Sequence, residues 1–316
     1  MKIEPISCAY FKNAKKVFVS KLYIIILTGK AIIVLDKERN YVKTIDGLKY
    51  AYEGLLSPDE SKLLIISNEP EFYIFSLDTL EITNRGKLKG NISTIEGHGC
   101  WSPNGKNIFL ILMEKRTGKS FLRIYQTDNL NNFVDNHSIG YMLNFHNILS
   151  LPSENAIYII AKNRFYEWND SDCLVLLRLS GDQVDRYEIS DQSGIPFAIE
   201  YNKGTRRLVI YTLKQSFTCD LDGKNIRMID TGNNSCVFEQ NLLSTPFIIK
   251  QILESSNHKY IFMASNGGLD IFDKQTGASL YFKEFSYGLE NILEIEENII
   301  AVGLYSGSSR LYKLSD

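Results

Sequence analysis

The sequence predicts an all-β protein: a seven-bladed β-propeller of four-stranded antiparallel blades, with the last blade closed by the N-terminal strand. Three observations predict it. Strand-length apolar runs recur at a spacing of about forty-five residues, a period that marks propellers and solenoids. Seven such runs are present, and each is followed by a second. The final unit is one strand short, while the chain begins with a strand-like stretch that no unit claims.

The clearest unit is residues 100–113. Trp101 closes one strand, and Ser102-Pro103-Asn104-Gly105 is turn chemistry. Pro presets φ, and Asn and Gly tolerate positive φ, so Gly105 is expected there. Ile108 to Met113 is then a branched apolar run of strand length. The same turn is read at Leu55-Leu56-Ser57-Pro58-Asp59 and at Ile148-Leu149-Ser150-Leu151-Pro152.

The runs after the turns are 22–27, 63–66, 108–113, 157–161, 208–211, 260–264 and 299–302. The partners that follow are 31–35, 72–77, 121–125, 173–179, 216–221, 269–272 and 308–314. Several partners end in a polar turn: Leu35-Asp36, Leu77-Asp78, Leu221-Asp222 and Phe272-Asp273. A weaker strand follows most of them, as at 41–45 and 225–229. With the strand before the first turn, each unit offers four.

One such sheet cannot bury both faces, but ringing the units around an axis buries face on face. Six blades would need about 53 residues each and eight about 40, so seven fits the spacing. The segment Ile3 to Phe11 is expected to complete the last blade as its outermost strand, paired with 308–314. Residues 1–43 carry a charge of +6 and residues 284–316 a charge of −4, which agrees with the two ends meeting. A two-sheet sandwich would not explain seven copies of one pattern. The whole of 1–316 is expected to be a single propeller domain.

Composition bounds the function. The 316 residues are 44% hydrophobic with 18 Tyr and 17 Phe, ample for a core rich in strands. The net charge of −2 argues against nucleic-acid or membrane-surface binding. Read alone, the basic N-terminal end is also compatible with a nucleic-acid arm, but its charges are spread through strands rather than clustered. Cys8, Cys100, Cys173, Cys219 and Cys236 show no C-x-x-C spacing, so no zinc or redox motif is implied. Lys2-Ile3-Glu4-Pro5 does not lead into a signal-peptide core, and Leu22 to Leu27 is too short to span a bilayer. A cytoplasmic location is expected, in which the sequons at Asn136, Asn169 and Asn233 carry no meaning.

Trp101-Ser102-Pro103-Asn104-Gly105-Lys106 and Ser57-Pro58-Asp59-Glu60-Ser61-Lys62 resemble the turn of TolB-type, WD-repeat-like propeller blades. The resemblance is strong in two blades and degenerate in the rest. Gly97-His98 appears once, and the Trp-Asp pair of true WD repeats is absent. It implies the propeller fold and a broad superfamily, and function does not transfer on fold alone.

In propellers of this kind the blade linkers and the second-to-third-strand loops share one rim. Two such loops are long: 114–119, charged, and 162–172, which holds Phe165, Tyr166 and Trp168. Aromatics with Arg are enriched at binding hot spots, so these three, with Tyr141 in the linker 137–146, are candidate partner-binding residues. The plainer reading is a local cover over blade four.

Glu53, His98 and Asn147 each stand five residues before Pro58, Pro103 and Pro152, with His146 beside the last. They are candidate channel-mouth residues. Such a set suits a metal site or an acid–base pair, and equally a hydrated polar ring. Phosphate-loop, dinucleotide, zincin and nucleophile-elbow motifs are absent from the sequence.

The sequence therefore favours a non-catalytic, monomeric interaction or scaffold module with a protein partner and no cofactor, metal, nucleic acid or membrane. The alternative is a cytoplasmic propeller hydrolase such as a sugar lactonase, drawing on His98, His146, Glu53 and Arg206.

Overall fold

The computed structural model describes residues 1–7, 9–11, 13–67, 71–90, 92–114, 116–117, 120–136, 143–163, 174–180, 183–190, 196–202, 204–212, 216–228, 249–257, 259–286, 288–304 and 308–315. Within the described strands, the side chains of 93–98, 120, 143–147, 162–163, 190, 196–198, 200, 211–212, 216, 228, 249–252, 254 and 290 lie outside the description, as do those of Ala9 and Pro152.

The chain opens on β1 (Lys2–Ile6). Blade one is β2 (Lys16–Val19), β3 (Ile24–Leu27), β4 (Ala31–Leu35) and β5 (Tyr41–Asp46). Blade two is β6 (Ala51–Leu56), β7 (Lys62–Ser67), β8 (Glu71–Ser76) and β9 (Glu81–Lys87). Blade three is β10 (Ile92–Trp101), β11 (Asn107–Glu114), β12 (Ser120–Gln126) and β13 (Asn129–Asn136). Blade four is β14 (Leu143–Leu151), β15 (Ala156–Asn163), β16 (Leu174–Ser180) and β17 (Gln183–Ser190). Blade five is β18 (Pro196–Asn202), β19 (Arg207–Thr212), β20 (Ser216–Cys219) and β21 (Arg227–Met228). Blade six is β22 (Ile249–Glu254), β23 (Tyr260–Ser265), β24 (Gly268–Asp273) and β25 (Ser279–Glu284). Blade seven is β26 (Leu289–Glu296), β27 (Ile299–Leu304) and β28 (Ser309–Ser315), with β1 as its outermost strand. This is the seven-bladed β-propeller that the repeat predicts. Two compact units compose it: Lys49–Ile229 holds blades two to five, and Met1–Leu48 with Asp230–Asp316 holds the other three.

Why these residues form these strands follows from burial. The second and third strands of a blade are covered on both faces, so their apolar runs are continuous: Ile24, Ile25, Ile26 and Leu27 are all fully buried. An outermost strand is covered on one face and alternates instead, as β9 does. Between blades two and three, Leu64, Ile66, Phe72 and Ile74 meet Trp101, Ile108, Leu110 and Tyr125. Burying each such side chain contributes about 1.5–3 kcal/mol.

The first-to-second-strand turn is built from one serine. Ser102 Oγ accepts from Asn107 N at 2.8 Å and donates to Asn104 Oδ1 at 2.8 Å, and that oxygen also accepts from Lys106 N at 3.0 Å. Ser57 and Asp59 repeat this in blade two, and Ser255 and Asn257 in blade six. Gly105 has φ 69°, as its place in the turn requires. The Pro152 copy differs. Ser150 is still in strand, paired with Ile157, and Leu151 takes the serine's place ahead of a 3-10 turn at Pro152–Glu154. The blade-six copy lacks proline, so a search on Ser-Pro misses it. Ser followed two residues later by Asp or Asn is the shared signal.

Closure by the N-terminus is observed, with one correction. β1 runs antiparallel to β28, from Lys2 opposite Ser315 to Ile6 opposite Leu311, and ends there rather than at Phe11. Pro5 fits because an outermost strand leaves one edge without ladder bonds. Ala9–Phe11 is a 3-10 turn. It carries Phe11 off the sheet edge into the apolar cluster of Ala14, Ile24, Ile26, Ile295, Ile299 and Leu311, where it is 2% exposed. Burying a phenyl ring there outweighs extending an edge strand over solvent. Arg39 lies 3.5 Å from Glu296, so the basic first blade and the acidic last one also meet as an ion pair.

Candidate functional site

Phe165, Tyr166, Trp168 and Tyr141 lie outside the described residues, as do the side chains of His98, His146 and Asn147. The backbone still places the last three. The first strands of blades two to seven each carry at least one register irregularity, and those of blades three and seven carry two. Tyr52, His146 and Phe197 are the extra residues in blades two, four and five, and Glu53, Asn147 and Ala198 follow them, opposite Ile66, Ile160 and Tyr211. Glu53 and Asn147 thus hold matching positions in their own blades, while His98 falls inside the irregular stretch between Ile95 and Gly99. Such bulges re-aim side chains, and an apolar-pattern reading carries no signal for them. Glu53 Oε1 accepts from Gly54 N at 2.9 Å. Tyr52 beside it packs against the blade-two core, and its phenol is pushed up to about 12 by burial and by the Glu53 charge.

Cys100 and Cys219 are buried, and burial pushes both thiols up to about 12. They are therefore not thiolate nucleophiles at neutral pH. Arg206, a candidate in the hydrolase reading, is exposed in a turn at φ 56°.

The best-built polar constellation among the described residues is one the sequence reading did not single out. It lies at the end of blade two where the linker enters β6, β7 ends, β8 begins and β9 ends. Ser67 Oγ donates to the linker carbonyl of Lys49. Glu71 opens β8 opposite Lys87, and Tyr73 stands opposite Arg85. Glu71 Oε1 is 3.4 Å from Lys49 Nζ and 3.6 Å from Lys87 Nζ, and Glu71 Oε2 accepts from the Tyr73 hydroxyl at 3.0 Å. Burial raises the Glu71 carboxyl, but the Tyr73 bond and the two ammonium groups outweigh it and hold the group below its ordinary value. The Arg85 guanidinium lies 5.7 Å from the Tyr73 ring centroid. Next to Lys49, Tyr50 is 60% exposed and sits at φ 51°. A bulky residue in the left-handed region is strained, and strain of this kind gathers at binding and catalytic sites.

The next linker is clamped at the same end of blade three. Arg123 is 4% exposed. It grips Asp135 through two bonds of 2.6 and 2.8 Å, donates to Lys89 O at 2.8 Å and stacks 4.1 Å from the Phe133 ring. The Lys89 side chain is exposed. The sequence carried a signal for this end: Arg85, Lys87 and Lys89 alternate at strand period. In the charged loop, Thr117 donates its hydroxyl to Glu114.

Two solved structures share this architecture. The β-propeller domain of Myceliophteria thermophila Cps50 (Swd1) matches with a TM-score of 0.66 and 10% identity, over 99% of this chain and 98% of that one. A chain of Kuenenia stuttgartiensis hydrazine synthase matches with a TM-score of 0.64 and 9% identity, over 98% and 97%. No protein-family model matches the sequence, and no curated protein does. Likeness at this identity shows the fold, a seven-bladed β-propeller.

Proposed function

We propose that this chain is a non-catalytic interaction propeller that presents the linker end of blades two and three to a protein partner. The observation that carries the reading is Tyr50, a large aromatic held exposed and backbone-strained directly after Lys49, which Ser67 grips by its carbonyl and Glu71 by its ammonium group. Aromatic and Arg side chains dominate binding hot spots, and a rigid linker lowers the entropy lost on association. The same reading takes Phe165, Tyr166, Trp168 and Tyr141 as further partner contacts and the protein as a cytoplasmic monomer. Within the WD40-like fold, the Trp101-Ser102-Pro103-Asn104-Gly105-Lys106 turn supports a TolB-type lineage.

The test replaces Tyr50, and separately Trp168, with a photo-crosslinking phenylalanine analogue in cells. A discrete adduct at either position is the expected result. Crosslinking no stronger than at exposed Lys106, at the opposite end of blade three, overturns the reading.

A further inference from the structure

We propose that the blade-two linker end binds an acidic peptide segment in extended conformation. The inference rests on the interaction reading above and adds the partner's chemistry.

Lys49 and Lys87 flank Glu71, Arg85 stands two residues before Lys87 on β9, and exposed Lys89 follows two residues after it. The protein as a whole carries −2, so this local excess runs against the global charge. Glu71 is already engaged by Tyr73, Lys49 and Lys87, and its own side chain is 14% exposed, against 76% for Lys87 and 53% for Lys49. Lys87 therefore stays largely open to solvent beside Glu71, and Arg85 and Lys89 on the same strand end are exposed as well.

Geometry selects the shape of the ligand. Arg85 and Lys87 project from one face of β9, directly opposite Tyr73 and Glu71. Residues two apart on a strand are about 6.6 Å apart, which is also the spacing of alternate side chains on an extended peptide. Arg85 can grip a carboxylate through two parallel bonds, and Lys87 and Lys89 act as point charges beyond it. Tyr50 offers an aromatic face at the entry to the same end. A long polyanion such as nucleic acid feels the net negative charge of the whole molecule. A short acidic segment feels the local field within about 8 Å at physiological salt.

The experiment is fluorescence anisotropy with a short fluorescein-labelled peptide alternating Glu and Ser around one Leu, titrated with the full chain at low salt. The expected result is saturable binding that weakens with salt and is lost when Gln replaces Glu in the peptide. Arg85→Glu with Lys87→Glu should weaken it at least about tenfold, while Lys106→Glu leaves it unchanged. Both targets are exposed, and an unchanged melting temperature confirms folding. Should the double variant misfold, Lys87→Ala with Lys89→Ala serves instead. Absence of saturable binding, equal binding by the double variant, or tighter binding of oligo-dT than of the peptide overturns the proposal. If adducts at Tyr50 persist in the charge-reversed protein, the acidic specificity falls and the interaction reading stands. If Tyr50 and Trp168 both fail to crosslink above Lys106, the interaction reading falls.

Discussion

Gly105 shows what a single residue contributes to this fold. Its φ of 69° is set by the turn that Ser102 organises, and a Cβ built on it meets nothing within 4 Å. Any cost of substitution is therefore conformational. Gly105→Val should destabilise by about 1–3 kcal/mol in denaturant unfolding while the protein still folds. Glu60 already occupies the same turn position in blade two at φ 60°, so the geometry tolerates a side chain at some cost. A variant with unchanged stability would mean that the turn relaxes away from positive φ. The two described thiols give a second prediction at this scale. Cys100 and Cys219 are buried with thiols at about 12, so iodoacetamide should leave both unmodified in the native protein and label both after denaturation. Mass spectrometry of the native digest showing either one alkylated would contradict their placement.

Within an element, polar side chains decide how neighbouring blades lock. Trp101 ends β10 and donates Nε1 to Leu55 O at 2.8 Å, tying blade three to blade two through a ring that is 4% exposed. Trp101→Phe keeps most of the apolar contact but removes the donor from a part-buried carbonyl, so it should cost about 1–3 kcal/mol. A loss below about 0.5 kcal/mol would show that water replaces the indole. In blade six, Asp270 stands opposite Phe282 and accepts from Ser279 Oγ at 2.7 Å. Burial raises its carboxyl above the ordinary 3.8, against the Ser279 bond. The folded state then holds the proton more tightly than the unfolded chain. Stability from this group is present in acid and lost as pH rises from 3.8 through the raised value. Asp270→Asn should accordingly melt above the wild type at neutral pH, with the difference vanishing in acid. A constant difference across pH would remove burial as the cause. Trp101 and the two Ser-Pro turns at Ser57 and Ser102 were legible because their residue pattern is local in sequence, whereas the Ser255 turn lacks the proline and the Pro152 segment folds differently. The irregularities in the first strands were not, because one extra residue in a half-buried strand of mixed composition leaves no pattern of its own. The blade-two end was half legible: Arg85, Lys87 and Lys89 show strand alternation, but nothing in the sequence brings Lys49 to Glu71.

For the molecule as a whole, seven blades were readable because the second and third strands are largely covered on both faces and therefore run mostly apolar. What the pattern could not show was where the N-terminal strand gives way to a plug, since Ile6 and Phe11 are both apolar and only packing separates their roles. β1 supplies the outermost strand of blade seven, and Phe11 fills the cluster shared by blades seven and one. Deleting residues 1–12 should therefore do two kinds of damage. It exposes the edge of β28 along five paired positions, a template for aggregation, and it empties a buried phenyl site. Phe11→Ala isolates the second effect and should cost about 3–5 kcal/mol, lowering the melting temperature without aggregation. The deletion should add loss of solubility, read by size-exclusion chromatography at the temperature where the point variant is still monodisperse. A deletion chain that elutes and melts like Phe11→Ala would show that the plug matters and the strand does not. One that melts like the full chain would show that blade seven holds together on three strands, and closure by β1 would then contribute nothing to stability.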